Sequence, residues 1–473
     1  MTPLPYSSYK NLPPLAGLCT FEEAFAPGLP VEECVRRLKR IHYSLRRLFE
    51  ILTSRITSEP VYELKTLFAH HAYLFAEHCT SIRQRVSEMR EPPLGLDEIP
   101  HPALERYFDE IANAPTANER LFAVYQDTLG RIHVAIEHYL RETHPLTDAP
   151  SRRMLKAMTH ELTEIREIGC RTFDAFPLTE DGRGWSESIL GVLATEAGDI
   201  AGQPRPYTKP LAELPRKYSG IPPIYDPIPQ RDERFTDLWN QGVNAESFLY
   251  DETQPARAKA LMMLFKRLRE IDVPEMMASI MMQTSGKPWA YYRDMSRQLW
   301  DEARHAMMGE VGFVALGVDW TKAKITWNWS YRLNTECSPL ERHGVLFFIE
   351  QGLMPRTGKR YEYEVATLSG IPLVATIQDF DWADEVLHSQ IGRAWYVTQF
   401  PSLKDAMDYG DQAWSKIISN WTTVSEMGLT NHANWWPAIY TQACRAEGVA
   451  PDPRVLAFDE TYEGKRADVH RRD

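Results

Sequence analysis

Cysteine is sparse in this chain, and what there is does not pair up. Cys19, Cys34, Cys79, Cys170, Cys337 and Cys444 are scattered over 473 residues without a CxxC. That leaves no disulfide frame and no zinc ribbon, and reduced, mostly buried thiols are expected. Long apolar runs are missing too. The longest, such as 260–265 and 344–349, are far too short to span a bilayer, so no membrane partner is expected. The opening Met1-Thr-Pro-Leu-Pro-Tyr6 has no basic n-region and no apolar h-region, so a cytoplasmic location is the default expectation. No low-complexity tract occurs, and no Walker loop, GxGxxG or GxSxG stands out. Positive charge is also in deficit. A formal net charge of −12 repels phosphate backbones and speaks against a nucleic-acid partner.

What is present is helical patterning. The hydrophobic fraction of 43%, with 13 Trp and 16 Met, suits a thick apolar helical core. Apolar residues recur at helical spacing in 31–56 (Val35, Leu38, Ile41, Leu45, Leu48, Leu52), and further long helices are expected at 61–89, 118–143 and 152–176. Residues 1–176 are therefore read as an N-terminal helical bundle, expected to be metal-free because its histidines form no helical ExxH. Eight prolines crowd 204–229, so 177–230 reads as an ordered linker that wraps a bundle, with Trp185, Tyr207, Tyr218 and Tyr225 packing on it. A second bundle is expected in 231–398, with helices near 252–283, 288–317, 338–354 and 371–398. Ser338, Pro339 and Glu341 form a capping box, and Pro372 opens the last helix. Residues 399–473 read as an aromatic helical extension (Trp414, Trp421, Trp435, Trp436) with a charged tail. The fold class is all-α.

Two DExxH sequences lie in the second bundle, Asp301-Glu302-Ala303-Arg304-His305 and Asp384-Glu385-Val386-Leu387-His388. Residues three apart share a helix face, so each Glu and His can reach one point. A third, Asp97-Glu98-Ile99-Pro100-His101, is an internal control, because Pro100 and Pro102 keep it out of a regular helix. Glu270 precedes Glu302 by 32 residues and Glu350 precedes Glu385 by 35, spacings that suit helix hairpins with facing carboxylates. The bundle thus reads Glu, ExxH, Glu, ExxH, the arrangement by which four-helix bundles hold two metal ions. The expected metal ligands are Glu270, Glu302, His305, Glu350, Glu385 and His388. Glu275 is a rival to Glu270, and Glu350 has the alternative of an ion pair with Arg342 or Arg356. Asp301 and Asp384 are placed to orient ligand imidazoles, and His343, two turns before Glu350, is expected beside the ligands rather than among them. A hard oxygen-nitrogen set suits Fe, with Mn possible. Trp289, Tyr291, Tyr292, Phe347, Phe348 and Trp382 are candidate walls of a substrate pocket.

At these residues the chain resembles the ferritin-like superfamily, and within it a bacterial branch distantly related to the diiron tRNA hydroxylases. The resemblance is carried by Leu268-Arg-Glu-Ile-Asp-Val-Pro-Glu-Met-Met-Ala278, Trp300-Asp-Glu-Ala-Arg-His305, Glu350-Gln-Gly-Leu353 and Asp381-Trp-Ala-Asp-Glu-Val-Leu-His388, and covers roughly residues 255–398. It implies a ferritin-like four-helix bundle with two iron ions bridged by Glu302 and Glu385, and O₂ as co-substrate. The expected activity is a non-haem diiron oxidoreductase that oxidises or oxygenates a small organic molecule, with an electron donor as a possible partner, in a monomer or homodimer. The alternatives are a ferroxidase or peroxide-scavenging protein and a metal-binding scaffold without catalysis.

Overall fold

The structure is a computed structural model that describes residues 6–90, 95–203, 210–240, 242–418, 424 and 426–461. Tyr207, Trp421 and the tail after Thr461 lie outside the described residues. Every regular element among the described residues is helical, and the one strand-like feature is an isolated bridge between Val243 and Thr461. No helix among them is long and apolar enough to cross a membrane.

The chain divides into two units, 1–51 with 74–224, and 52–73 with 225–473. This differs from boundaries at 176 and 230. The cut falls inside two long helices, Val31–Ile56 and Tyr62–Glu88. Residues 52–73 join the C-terminal half because buried polar groups tie them there. Lys65 Nζ pairs with Glu275 and donates to the Gln230 carbonyl at 2.9 Å, and the Tyr62 amide donates to Asp232 at 3.0 Å.

In the first unit, the control motif stays out of regular helix as expected. Pro102 opens the helix Pro102–Ala112, and His101 serves as its N-cap, accepting the Ala103 amide through Nδ1 at 3.1 Å. That helix itself was not foreseen. It carries Glu110, which is fully buried and accepts the amides of Lys217, Tyr218 and Ser219 and the Trp185 indole N–H. One buried carboxylate, satisfied by several donors, thus pins the Pro-rich stretch.

In the second unit, three expected helices occur as Trp289–Ala315, Pro339–Gly352 and Pro372–Trp395, with the Ser338/Glu341 capping box formed. The expected helix over 252–283 is two, Ala256–Arg269 and Asp272–Gln283. Pro274 accounts for the break, since in a continuous helix its ring would collide with the carbonyl four residues back, that of Glu270. Two helices missed in the sequence, Asn328–Glu336 and Lys359–Leu368, fill the connections. Gly309 sets how closely Trp289–Ala315 approaches Ala256–Arg269. A Cβ there would lie 2.4 Å from the Leu268 nitrogen and 2.6 Å from the Leu264 oxygen, so only glycine permits the contact. Leu264, Phe265, Trp435, Trp436 and Ile439 belong to the main core, so two tryptophans of the aromatic extension are buried in it.

Candidate metal centre

Four segments bring carboxylates and imidazoles to one buried place. The break after Arg269 presents Glu270; Trp289–Ala315 carries Glu302 and His305; Pro339–Gly352 carries Glu350; Pro372–Trp395 carries Asp381, Glu385 and His388. Ligand-capable atoms gather in two groups, Glu270, His305, Asp381 and Glu385 in one, and Glu302, Glu350 and His388 in the other, each spanning no more than 4.8 Å. The two imidazole rings lie 5.8 Å apart.

His305 Nδ1 of the first group is 3.2 Å from Glu270 and 3.7 Å from Glu302 of the second. His388 Nδ1 of the second group is 3.2 Å from Glu302 and 3.8 Å from Glu350, and 3.6 Å from Glu385 of the first. Glu302 therefore faces both imidazoles, and Glu385 belongs to one group while touching the histidine of the other. The remaining ring nitrogens are held crosswise. His305 Nε2 lies 3.1 Å from Asp384, and His388 Nε2 lies 3.4 Å from Asp301, so the aspartate of each motif braces the histidine of the other. Arg304 joins the two braces, at 2.6 Å from Asp301 and 2.7 Å from Asp384. With Nε2–H donating to a carboxylate, Nδ1 is the ring nitrogen turned to the cluster, where an ion would take the place of its proton.

The donor set fits a pair of metal ions. Glu350 Oε2 and Glu385 Oε2 are buried without a hydrogen-bond partner, while Glu270 Oε2 with His305 Nδ1 and Glu302 Oε1 with His388 Nδ1 meet only each other at hydrogen-bond distance, 3.2 Å. Unpaired polar atoms at this depth are costly unless a cation takes them up. Charge points the same way. Glu270, Glu302, Glu350, Asp381 and Glu385 are five carboxylates, and the cationic side chains in contact with them are Arg267 and Lys359. Burial alone would lower the His305 pKa, but Asp384, Glu270 and Glu302 lift it to about 10, and the same competition raises His388. Burial likewise opposes ionisation of Asp301, yet its bond to His388 and the nearby arginines hold it at about 2. The cluster could hold metal ions.

The rival Glu275 is elsewhere. It is fully buried in a network with Lys65, Arg231 Nη2 at 3.0 Å and Ser330 Oγ at 2.7 Å. Arg342 turns to Ser279 and Gln283 instead of Glu350. His343 packs between Tyr291 and Tyr396, with no described hydrogen bond to any of the six residues. Asp381 was missed, although its position four before Glu385 and seven before His388 puts it on their face. Arg267 and Lys359 were missed as well; Arg267 lies one turn before Glu270, whereas nothing local marks Lys359.

A cavity of about 100 Å³ opens against Glu270, Glu302, Glu350 and Glu385. Its other walls are mainly apolar, including Val273, Met276, Leu346, Ile349, Trp329 and Trp414. The six aromatic residues expected as pocket walls are not among them. On Pro339–Gly352 the cavity face is 345, 346, 349 and 350, continued by Leu353 just past the helix end, which turns Phe347 away to Tyr396. Tyr291 packs against Tyr292 and Trp395, and Trp382 against Tyr363. No family model, no curated protein and no solved structure matches the chain.

Proposed function

We propose that this chain is a non-haem diiron oxidoreductase of ferritin-like build that uses O₂ to oxidise or oxygenate a small organic molecule. The observation that carries this reading is the convergence of six buried ligand-capable side chains from the Glu, ExxH, Glu, ExxH series. Glu302 and Glu385 are the bridging candidates, because each reaches both halves. Two iron ions, when bound there, supply the electrons and open coordination positions for reducing O₂. Asp301 and Asp384 would orient the imidazoles with Nδ1 turned to the ions. The side chains of Val273, Met276, Leu346 and Ile349 exclude water beside the carboxylates and receive an apolar substrate.

Oxygen uptake by the iron-loaded protein, screened against small apolar molecules, tests the reading. Substrate-stimulated uptake is expected at a fixed iron content. Uptake that tracks only the accumulation of many irons per chain contradicts it and points to iron handling instead.

A further inference from the structure

We infer that the two halves of the centre load metal in a fixed order, the His388 half first, because Lys359 occupies the His305 half. This rests on the metal-centre reading above. The halves carry similar ligands but have different neighbours. Lys359 is fully buried, and its Nζ lies 3.0 and 2.9 Å from the two oxygens of Asp381 and 2.8 Å from Glu385 Oε1. Three carboxylate oxygens of one half thus already converge on a nitrogen at ordinary hydrogen-bond length. Arg267, also fully buried, pairs with Asp381 and holds Glu270 Oε1 at 2.7 Å. Every carboxylate of the His305 half therefore touches a lysine or arginine nitrogen.

The other half has no such neighbour among the described contacts. Glu302 meets the two histidines, and Glu350 meets His388 and the neutral Gln298, whose Nε2 is 3.4 Å away. A dication entering there displaces no lysine or arginine nitrogen from Glu302 or Glu350 among the described contacts, and Arg267 reaches Glu302 only through space. A dication entering the His305 half must displace Lys359 from Glu385 and then sit beside a guanidinium and the displaced amine. Lys359 is thus a positioning residue. It keeps Glu385 in place in the singly loaded protein and sets the price of the second ion.

Mn²⁺ added stepwise to the full-length metal-free protein, followed by electron paramagnetic resonance and calorimetry, tests the order. The first equivalent should give an isolated-ion signal, with a spin-coupled pair growing only with the second, at an affinity at least about tenfold weaker. Lys359→Met should tighten the second step by about tenfold or more and leave the first within about twofold. Glu350→Gln should abolish the tight first phase. A coupled signal from the first addition, or a second step unmoved in Lys359→Met, overturns the inference while leaving the two-metal reading intact. No stoichiometric Mn²⁺ binding overturns both. Should Lys359→Met fail to fold, the order of signals in the unaltered protein decides alone.

Discussion

Asp384→Asn is the sharpest perturbation of the crossed bracing. The substitution keeps the shape of the side chain and removes its charge. Asp384 Oδ2 lies 3.1 Å from His305 Nε2 and 2.7 Å from Arg304. Both neighbours meet the same oxygen, so an asparagine whose carbonyl takes its place still accepts from Arg304 and from His305 Nε2–H, but without the negative charge. A neutral acceptor polarises the imidazole less than a carboxylate does, so Nδ1 becomes a weaker ligand for an ion. Loss of such an outer partner lowers metal affinity about 10- to 100-fold, or about 1.4–2.8 kcal/mol. Asp301→Asn should act in the same way on His388. Because Arg304 contacts both aspartates, the double variant should depart from the sum of the singles by about 0.5–3 kcal/mol. Competition with a chromogenic chelator measures the affinities, and Asp408→Asn, at an exposed aspartate paired only with Lys404, is the control. Affinity in Asp384→Asn within about twofold of the parent, or an equal loss in Asp408→Asn, would refute the bracing.

His305→Ala and His388→Ala should each strip most bound metal, whereas His101→Ala should retain it, because His101 only caps a helix; metal content after gel filtration separates these outcomes. Glu275→Gln should lower unfolding stability by about 3–5 kcal/mol, since it leaves Lys65 and Arg231 buried without their shared partner; a denaturation midpoint unchanged from the parent would show that the network is dispensable. Burial, aided by the charge of Lys287, pushes His343 down to about 3. The unfolded chain takes up that proton near 6.5, so the stability His343 allows is complete above pH 6.5 and drains away as pH falls toward 3. His343→Phe should therefore flatten the fall in denaturation midpoint between pH 6.5 and 4.5, and an identical slope in both proteins would contradict this.

How far the sequence reaches differs from element to element. Helices with a strong apolar period and a capping signal, such as Val31–Ile56 and Pro339–Gly352, were legible nearly to the residue. Local rules decide such helices. Pro102–Ala112 was hidden because its prolines read as a break, although one of them marks the helix start. Lys359–Leu368 has no comparable signal. The six clustered residues were legible because spacing along helices fixes the face on which each side chain emerges. Lys359 was not, since its approach to Asp381 and Glu385 is a tertiary contact across 22 and 26 positions. The cavity walls were misjudged for a related reason. Aromatic content marks burial, but which face of Pro339–Gly352 looks into the cavity depends on the neighbours it packs against.

Iron content decides whether the cluster is a dinuclear centre. Full-length protein reconstituted with Fe²⁺ without oxygen, then desalted, should hold two irons per chain. The Glu302→Ala, Glu385→Ala double variant, which lacks both bridging candidates, should hold almost none. Retention of two irons by that variant, or no stoichiometric iron in the parent, would contradict a metal pair built on these residues.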